Sequence, residues 1–522
     1  LQRLVIALTA LFTMTGAVVV LGYLLIFAAS PDRAARAVPA GAAFYATVHL
    51  QPSTGQKLNL ASLLGHVPGF ADASSLDQKL HEIAGRLLGE VGFDYEADIR
   101  PWLGDRLSLA VRAPSAEAAD AADVAALVLV EVKDRPAAEA ALERIAAERK
   151  ISVTHGTYKG TPVSAAGDTS WALLDDLLIV APDGETLHAA LDADADRAPS
   201  LADEAAFGTA MRRVPADHLA SVYLDLEAAA QGVGATDEVG GYSTATLALV
   251  VEPDGLRLAG SAPFDASAAP SDGRGAFALS SEPSSLAEWM PSDTQAEAVV
   301  FGLAQALRAV EAGIGAQDGM GDIADAVNQL RALAALGLGI SVDDDVLPLL
   351  DREVGVAVSG FEGTTPSISV LLRPSDADAA EAAIGRMSDA LAEHGATVTQ
   401  HSAGSGTITT VAIPDLGEAS FTLLDGVVVI GLEADDVMAA LAARESGETL
   451  AASDRYRAAW DLAGIRGGNE AYLDVASIEA LLAEQLGLTG DARDILHAIG
   501  AIGMTAPARD AQTEIHVVVT VR

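Results

Sequence analysis

Asp192, Asp194 and Asp196 stand at alternate positions, and Asp203 follows eleven residues after the first of them. That spacing suits carboxylate ligands one, three, five and twelve of a helix-flanked calcium loop. Two residues argue against it. Arg197 occupies position six, where the sharp turn wants Gly, and position twelve is an Asp where a bidentate Glu is usual. The matching loop later in the chain, Ala443-Arg444-Glu445-Ser446-Gly447, has no such ladder, so a solvated acidic loop is expected over 192–203. A second acidic run, Asp343-Asp344-Asp345, aligns with Glu96-Ala97-Asp98. Asp98 and Asp345 each precede a Pro by three residues and lead into a strand, which predicts turn capping through the backbone. The histidines are scattered without H-E-x-x-H or H-x-H spacing. His155 and His401 fall at similar places and read as surface turns. There is no G-x-S-x-G elbow, and Gly313 to Gly321 lacks the Lys-Ser/Thr ending of a phosphate loop. No residue set is assigned as catalytic, cofactor-binding or metal-ligating.

The elements that would position such residues occur twice. Gly92 to Val111 returns without a gap as Gly339 to Val358, with the same Asp (Asp98, Asp345) and Pro (Pro101, Pro348). The start of an Ala-rich helix, Ala138-Glu139-Ala140-Ala141-Leu142, matches Ala380-Glu381-Ala382-Ala383-Ile384. Ser170 to Val180 matches Ser420 to Ile430, each a hairpin turning at Asp-Asp or Asp-Gly. Tyr223-Leu224-Asp225-Leu226 matches Tyr472-Leu473-Asp474-Val475, and long strand pairs close both copies. Further helices are predicted over Leu58–Leu64, Leu76–Leu88, Leu303–Ile314 and Ile323–Leu336. Features that both copies keep are structural; features of one copy alone are candidates for function. Trp171 and Phe421, at equivalent strand positions, are therefore read as core.

Strands joined mainly by hairpins, with helices between the sets, predict an α+β fold with mostly antiparallel sheets. The expected organisation is a transmembrane anchor over 1–30, a first α+β module over 31–264, a linker over 265–275 and a second module over 276–522. The anchor rests on 26 uncharged residues from Leu4 to Ala29, about 39 Å of helix against a bilayer core of roughly 30 Å. The lone Arg3 before this stretch and Arg33 and Arg36 after it do not settle orientation.

Composition narrows the function classes. With 73 acidic against 32 basic residues the formal charge is −41, which opposes binding to nucleic acid or anionic headgroups. Half of the 522 residues are apolar, enough for large cores. The absence of cysteine excludes disulfides, zinc thiolates, iron–sulfur clusters and cysteine nucleophiles.

Val38-Pro39-Ala40, then Asp98-Ile99-Arg100-Pro101-Trp102-Leu103-Gly104, the Ala-rich helix and the Trp171 hairpin give the chain a resemblance to the bacterial family called domain of unknown function 3352. The resemblance implies an amino-terminally anchored envelope protein without an established reaction. In the second copy Leu349 and Asp351 replace Trp102 and Gly104, so that copy departs from the family's pattern. The expected function is a non-enzymatic, extracytoplasmic binding or scaffold module, with a lipid or other apolar ligand between helices and sheet, or an envelope polymer, as its partner. The alternative is an Asp/Glu-dependent, calcium-assisted hydrolase.

Overall fold

Alternation in Leu103–Arg112 and continuous apolar runs in Leu177–Ala181 and Val427–Gly431 become strands in the computed structural model. The structure describes residues 32–51, 53–66, 95–112, 126–148, 150–233, 241–265, 267, 281–316, 331–332, 335, 339–362, 365–404, 406–414, 417–509 and 511–522. The chain divides into two compact units, Leu1–Phe264 and Asp265–Arg522.

In the first unit the strands are β1 (Ala42–His49), β2 (Leu103–Arg112), β3 (Ala126–Val132), β4 (Thr154–Tyr158), β5 (Thr161–Ala166), β6 (Thr169–Leu173), β7 (Leu177–Ala181), β8 (Ala220–Asp225), β9 (Thr244–Glu252) and β10 (Gly255–Pro263). They lie in the order β4-β5-β6-β7-β3-β2-β1-β8-β9-β10, every pair antiparallel. The second unit contains β11 (Ala296–Phe301), β12 (Glu353–Glu362), β13 (Thr365–Arg373), β14 (Thr397–Ala403), β15 (Gly406–Ile413), β16 (Gly417–Leu424), β17 (Val427–Gly431), β18 (Asn469–Leu473), β19 (Ile499–Ala506), β20 (Ala508–Arg509) and β21 (Gln512–Val521). Their order is β14-β15-β16-β17-β13-β12-β11-β18-β19-β21, the same path element for element.

Each unit is layered on both faces of its strands. On one face the helix Arg135–Glu148 covers Val130, Val132 and Leu178, and the helix Ala377–Glu393 covers Leu372 and Val428. The opposite faces carry the larger cores, around Leu129, Ile179 and Leu187 in the first unit and around Leu371, Val429 and Val437 in the second. Strand alternation explains the partition, since neighbouring residues of β3, β7, β13 and β17 point to opposite faces. Both covering helices start alike. Asp134 Oδ1 accepts from Ala137 N at 3.0 Å and Asp376 Oδ1 from Ala379 N at 2.9 Å, caps that stabilise each helix by about 1 kcal/mol.

The expected fold class is corrected. The described strands, 21 in number, form one antiparallel sheet and not the sheets of two separate modules behind a transmembrane helix. Hydrophobic pattern and turn residues specify local pairing, whereas the open N–H and C=O groups of an edge strand leave no sequence signal of how far a sheet extends. Among the described residues no helix is long and apolar enough to cross a membrane. The expected anchor over 1–30, the helix Leu76–Leu88, most of Ile323–Leu336 and most of the linker 265–275 lie outside the described residues.

Candidate functional site

The acidic ladder does not converge. Asp192 accepts from Lys159 Nζ at 2.9 Å and Arg197 Nε at 2.7 Å, and these hydrogen bonds hold its carboxyl well below the usual carboxylate range. Asp194 pairs with Arg33, and Asp203 accepts from the Ser200 backbone N–H at 2.9 Å and hydroxyl at 2.8 Å, which lowers its pKa. Asp196 adopts a left-handed φ of 52° in the turn. Among the described residues no group of three His or acidic side chains is arranged to hold a metal ion.

Asp98 and Asp345 do more than cap turns. Asp345 Oδ2 accepts from Ser341 N at 2.9 Å, but its Oδ1 receives the Arg386 guanidinium at 2.8 Å. Asp98 Oδ1 receives Arg144 at 2.5 Å. Both aspartates are nearly buried, 7% and 6% exposed, and both arginines come from the covering helix. Arg144 lies six residues after Ala138 and Arg386 six after Ala380, so the matched register of the Ala-rich helices already contained this pair. His155 bonds Ser164 through Nδ1 at 3.0 Å, opposite it on β5. By strand register its counterpart is Gln400, not His401, because His155 and Gln400 face Ser164 and Thr409, which in turn face Trp171 and Phe421. Trp102 is buried with its indole N–H on the Asp98 carbonyl, and the following Gly104 is required because a Cβ there would lie 2.8 Å from the Glu131 backbone.

A groove opens in the second unit, where the helix Ala377–Glu393 stands over β14, β15 and β16. It is a groove of about 580 Å³, within the range of roughly 300–1,000 Å³ typical of small-molecule sites. Val398, Phe421 and Leu423 of the strands and Ile384 of the helix give it apolar surface, interleaved with the polar Gln400, Thr407 and Thr409, and its rim is acidic, with Asp378, Glu381, Asp389 and Asp425. No lining residue is basic. The Asp425-Gly426 turn at one end has φ of 50° and 73°, the paired left-handed values of a tight hairpin that Gly tolerates best. Thr409 sits in the floor at 6% exposure.

The first unit fills the same layer. Trp171 occupies the position of Phe421 and packs beside Trp102, Leu142 and Leu173. Glu143 takes the place of Gly385, at which an added Cβ would meet nothing within 4 Å. The groove is thus a product of smaller residues in one copy, a subtraction that no motif reveals.

The family model described as protein of unknown function, DUF3352, matches residues 4–521. The chain belongs to the DUF3352 family. No curated protein matches it. Solved structures similar to it include crystal forms IV, III and I of TP0453, at 9%, 10% and 10% identity. They cover 44%, 45% and 45% of this chain and 79%, 80% and 80% of theirs, with TM-scores of 0.23, 0.25 and 0.25, too loose a likeness to carry an argument.

This DUF3352 chain also contains buried charge that its sequence pattern hid. Glu297, Glu353 and Glu470 are all buried in the second unit. Arg466 holds Glu470 at 2.9 Å and donates to the Tyr456 hydroxyl at 2.7 Å. Burial first, then the nearby Glu470 charge, pushes the Glu297 carboxyl up to about 7. The first-unit position equivalent to Glu297, across from Ala110 and Tyr223, is Tyr45, whose hydroxyl donates to Asp32 at 2.7 Å. None of the three glutamates lines the groove.

Proposed function

We propose that this DUF3352 protein is a non-enzymatic, extracytoplasmic binding module that shelters an apolar ligand between the helix Ala377–Glu393 and the strands beneath it. The observation that carries the reading is the groove of about 580 Å³, with Ile384, Val398, Phe421 and Leu423 in its lining, at a place where the first unit has Trp171. The non-enzymatic part is supported by the lining, which has acids on its rim and no His beside Ser388, Thr407 or Thr409 to activate a hydroxyl. The uncharged stretch Leu4–Ala29 supports a place at a membrane, and the extracytoplasmic side is what the family resemblance implies.

Gly385→Leu tests the groove. The added side chain enters open space, and replacing a helical Gly favours the helix by up to about 1 kcal/mol, so the variant is expected to fold. Titration of the purified chain with monolaurin, followed by native mass spectrometry, should show one bound molecule on the natural chain and none on Gly385→Leu. Equal binding by the two would remove the groove from consideration.

A further inference from the structure

The two copies differ in charge at the groove as well as in volume. In the first unit Arg135 opens the covering helix and bridges two acids, Asp175 at 2.6 Å and Glu139 at 3.5 Å. The second unit keeps both acids, as Asp425 in the hairpin turn and Glu381 one turn into the helix, but has Ala377 where Arg135 stood. Asp378 and Asp389 add two more carboxylates to the rim. None of these four acids has an ion-pair partner among the described residues. The floor shows the same loss. Ser164 of the first unit is bonded by His155, whereas its counterpart Thr409, nine-tenths buried and lining the groove, has no side-chain hydrogen-bond partner among the described residues.

We propose that the groove takes a cationic amphiphile, whose ammonium or guanidinium head occupies the place of the Arg135 guanidinium between Glu381 and Asp425, and whose apolar body lies along Ile384, Val398 and Phe421. This inference rests on the groove being a ligand site, and it adds the chemical class. Anionic amphiphiles are disfavoured by the same four carboxylates, and neutral ones gain only the floor.

The test measures dissociation constants of the full-length chain for dodecyltrimethylammonium, monolaurin and laurate, each below its micellar concentration, by titration calorimetry. Dodecyltrimethylammonium should bind roughly tenfold tighter than monolaurin, as expected for one or two exposed charge pairs, with laurate weakest. Raising the salt to 0.5 M should shrink the preference. Ala377→Arg, which restores the first unit's cation at the exposed start of the helix, should bring the cation within about threefold of monolaurin while monolaurin binding persists. Equal binding of all three amphiphiles, or a cation preference unchanged in Ala377→Arg, overturns the cationic class and leaves the groove standing. Failure of all three to bind, or binding that Gly385→Leu does not block, overturns the groove itself and the inference with it.

Discussion

Glu297 allows a quantitative test of how the second unit tolerates buried charge. It projects from β11 at 3% exposure, and neither carboxylate oxygen has a hydrogen bond of ordinary geometry, although the Tyr456 hydroxyl and Arg466 moderate its field. Its pKa in the folded chain is pushed up to about 7 from an ordinary value of 4.5. The sign follows from proton linkage. Between pH 4.5 and 7 the unfolded chain has lost the proton that the folded chain retains, so folding stability falls as the pH rises through that window. A shift of 2.5 units, 7 less 4.5, corresponds to about 3 kcal/mol of stability, fully present below pH 4.5 and fully lost above pH 7. Glu470, whose pKa is also raised chiefly by burial, adds to the decline. The perturbation is Glu297→Gln, which keeps the shape and removes the titration. Because the new amide is itself unpaired, at a cost of about 1–3 kcal/mol, the slope with pH and not the absolute stability is compared. Hydrogen exchange of the β11 amides, measured on the full chain from pH 5 to 8 and corrected for intrinsic exchange, reads the second unit locally. The natural chain should lose about 2.5 kcal/mol more protection than the variant across that range, with β1 of the first unit as internal control. Equal slopes in the two proteins would refute a protonated Glu297 at neutral pH.

Two further outcomes concern the shared frame. Arg386→Ala strands the nearly buried Asp345 carboxylate and should lower the denaturation midpoint by the equivalent of about 1–3 kcal/mol, discounted from a fully buried pair because Arg386 itself is half exposed. In a double-mutant cycle Asp345→Asn should recover part of that loss, and additivity would show the pair to be idle. Gly104→Ala should be destabilising by about 1–3 kcal/mol, since its Cβ would press 2.8 Å from the Glu131 backbone, whereas Gly385→Ala should raise stability by up to about 1 kcal/mol, both read by urea unfolding.

Much of the local architecture was legible because the chain repeats itself. The Leu174 to Leu177 and Leu424 to Val427 hairpins turn where the Asp-Asp and Asp-Gly dipeptides stand, and the Ala-rich helices keep Ala138 and Ala380 buried at matched positions. The ion pairs Arg144–Asp98 and Arg386–Asp345 were legible in principle, because both partners recur at fixed spacing. Glu297 was not, since a single acid in an alternating strand reads as the solvent face until the second covering layer is known. The groove escaped for a different reason. It arises from Phe421 in place of Trp171, Gly385 in place of Glu143 and Ala377 in place of Arg135, and each exchange is unremarkable in one copy until strand register shows that the three face one space. The extent of the sheet, one of 21 described strands, has no local determinant at all.

The polar interior shows that the copies diverged by linked changes. In the first unit Arg106 of β2 lies across from Glu131 of β3, at 3.8 Å, and 3.5 Å from Asp32. At the equivalent register of the second unit the signs are reversed, with Glu353 of β12 across from Arg373 of β13. Opposite charges across an antiparallel pair are favourable whichever strand carries which, so the reversal keeps the signs opposite, although the Arg373 Nε has no hydrogen-bond partner among the described residues. The third member cannot be indifferent. An acid equivalent to Asp32 beside Glu353 would place two carboxylates together in a buried site, a penalty of several kcal/mol. The chain has Ser284 there instead, whose hydroxyl donates to Glu353 Oε2 at 3.1 Å, assisted by the Ser285 backbone N–H at 3.2 Å. Three positions on three segments thus differ together between the units. A single change should reveal the coupling: Ser284→Asp should destabilise the chain, while the same change combined with Glu353→Arg and Arg373→Glu should be tolerated. Equal stability of the single and triple variants by urea unfolding would show that the three sites are energetically independent.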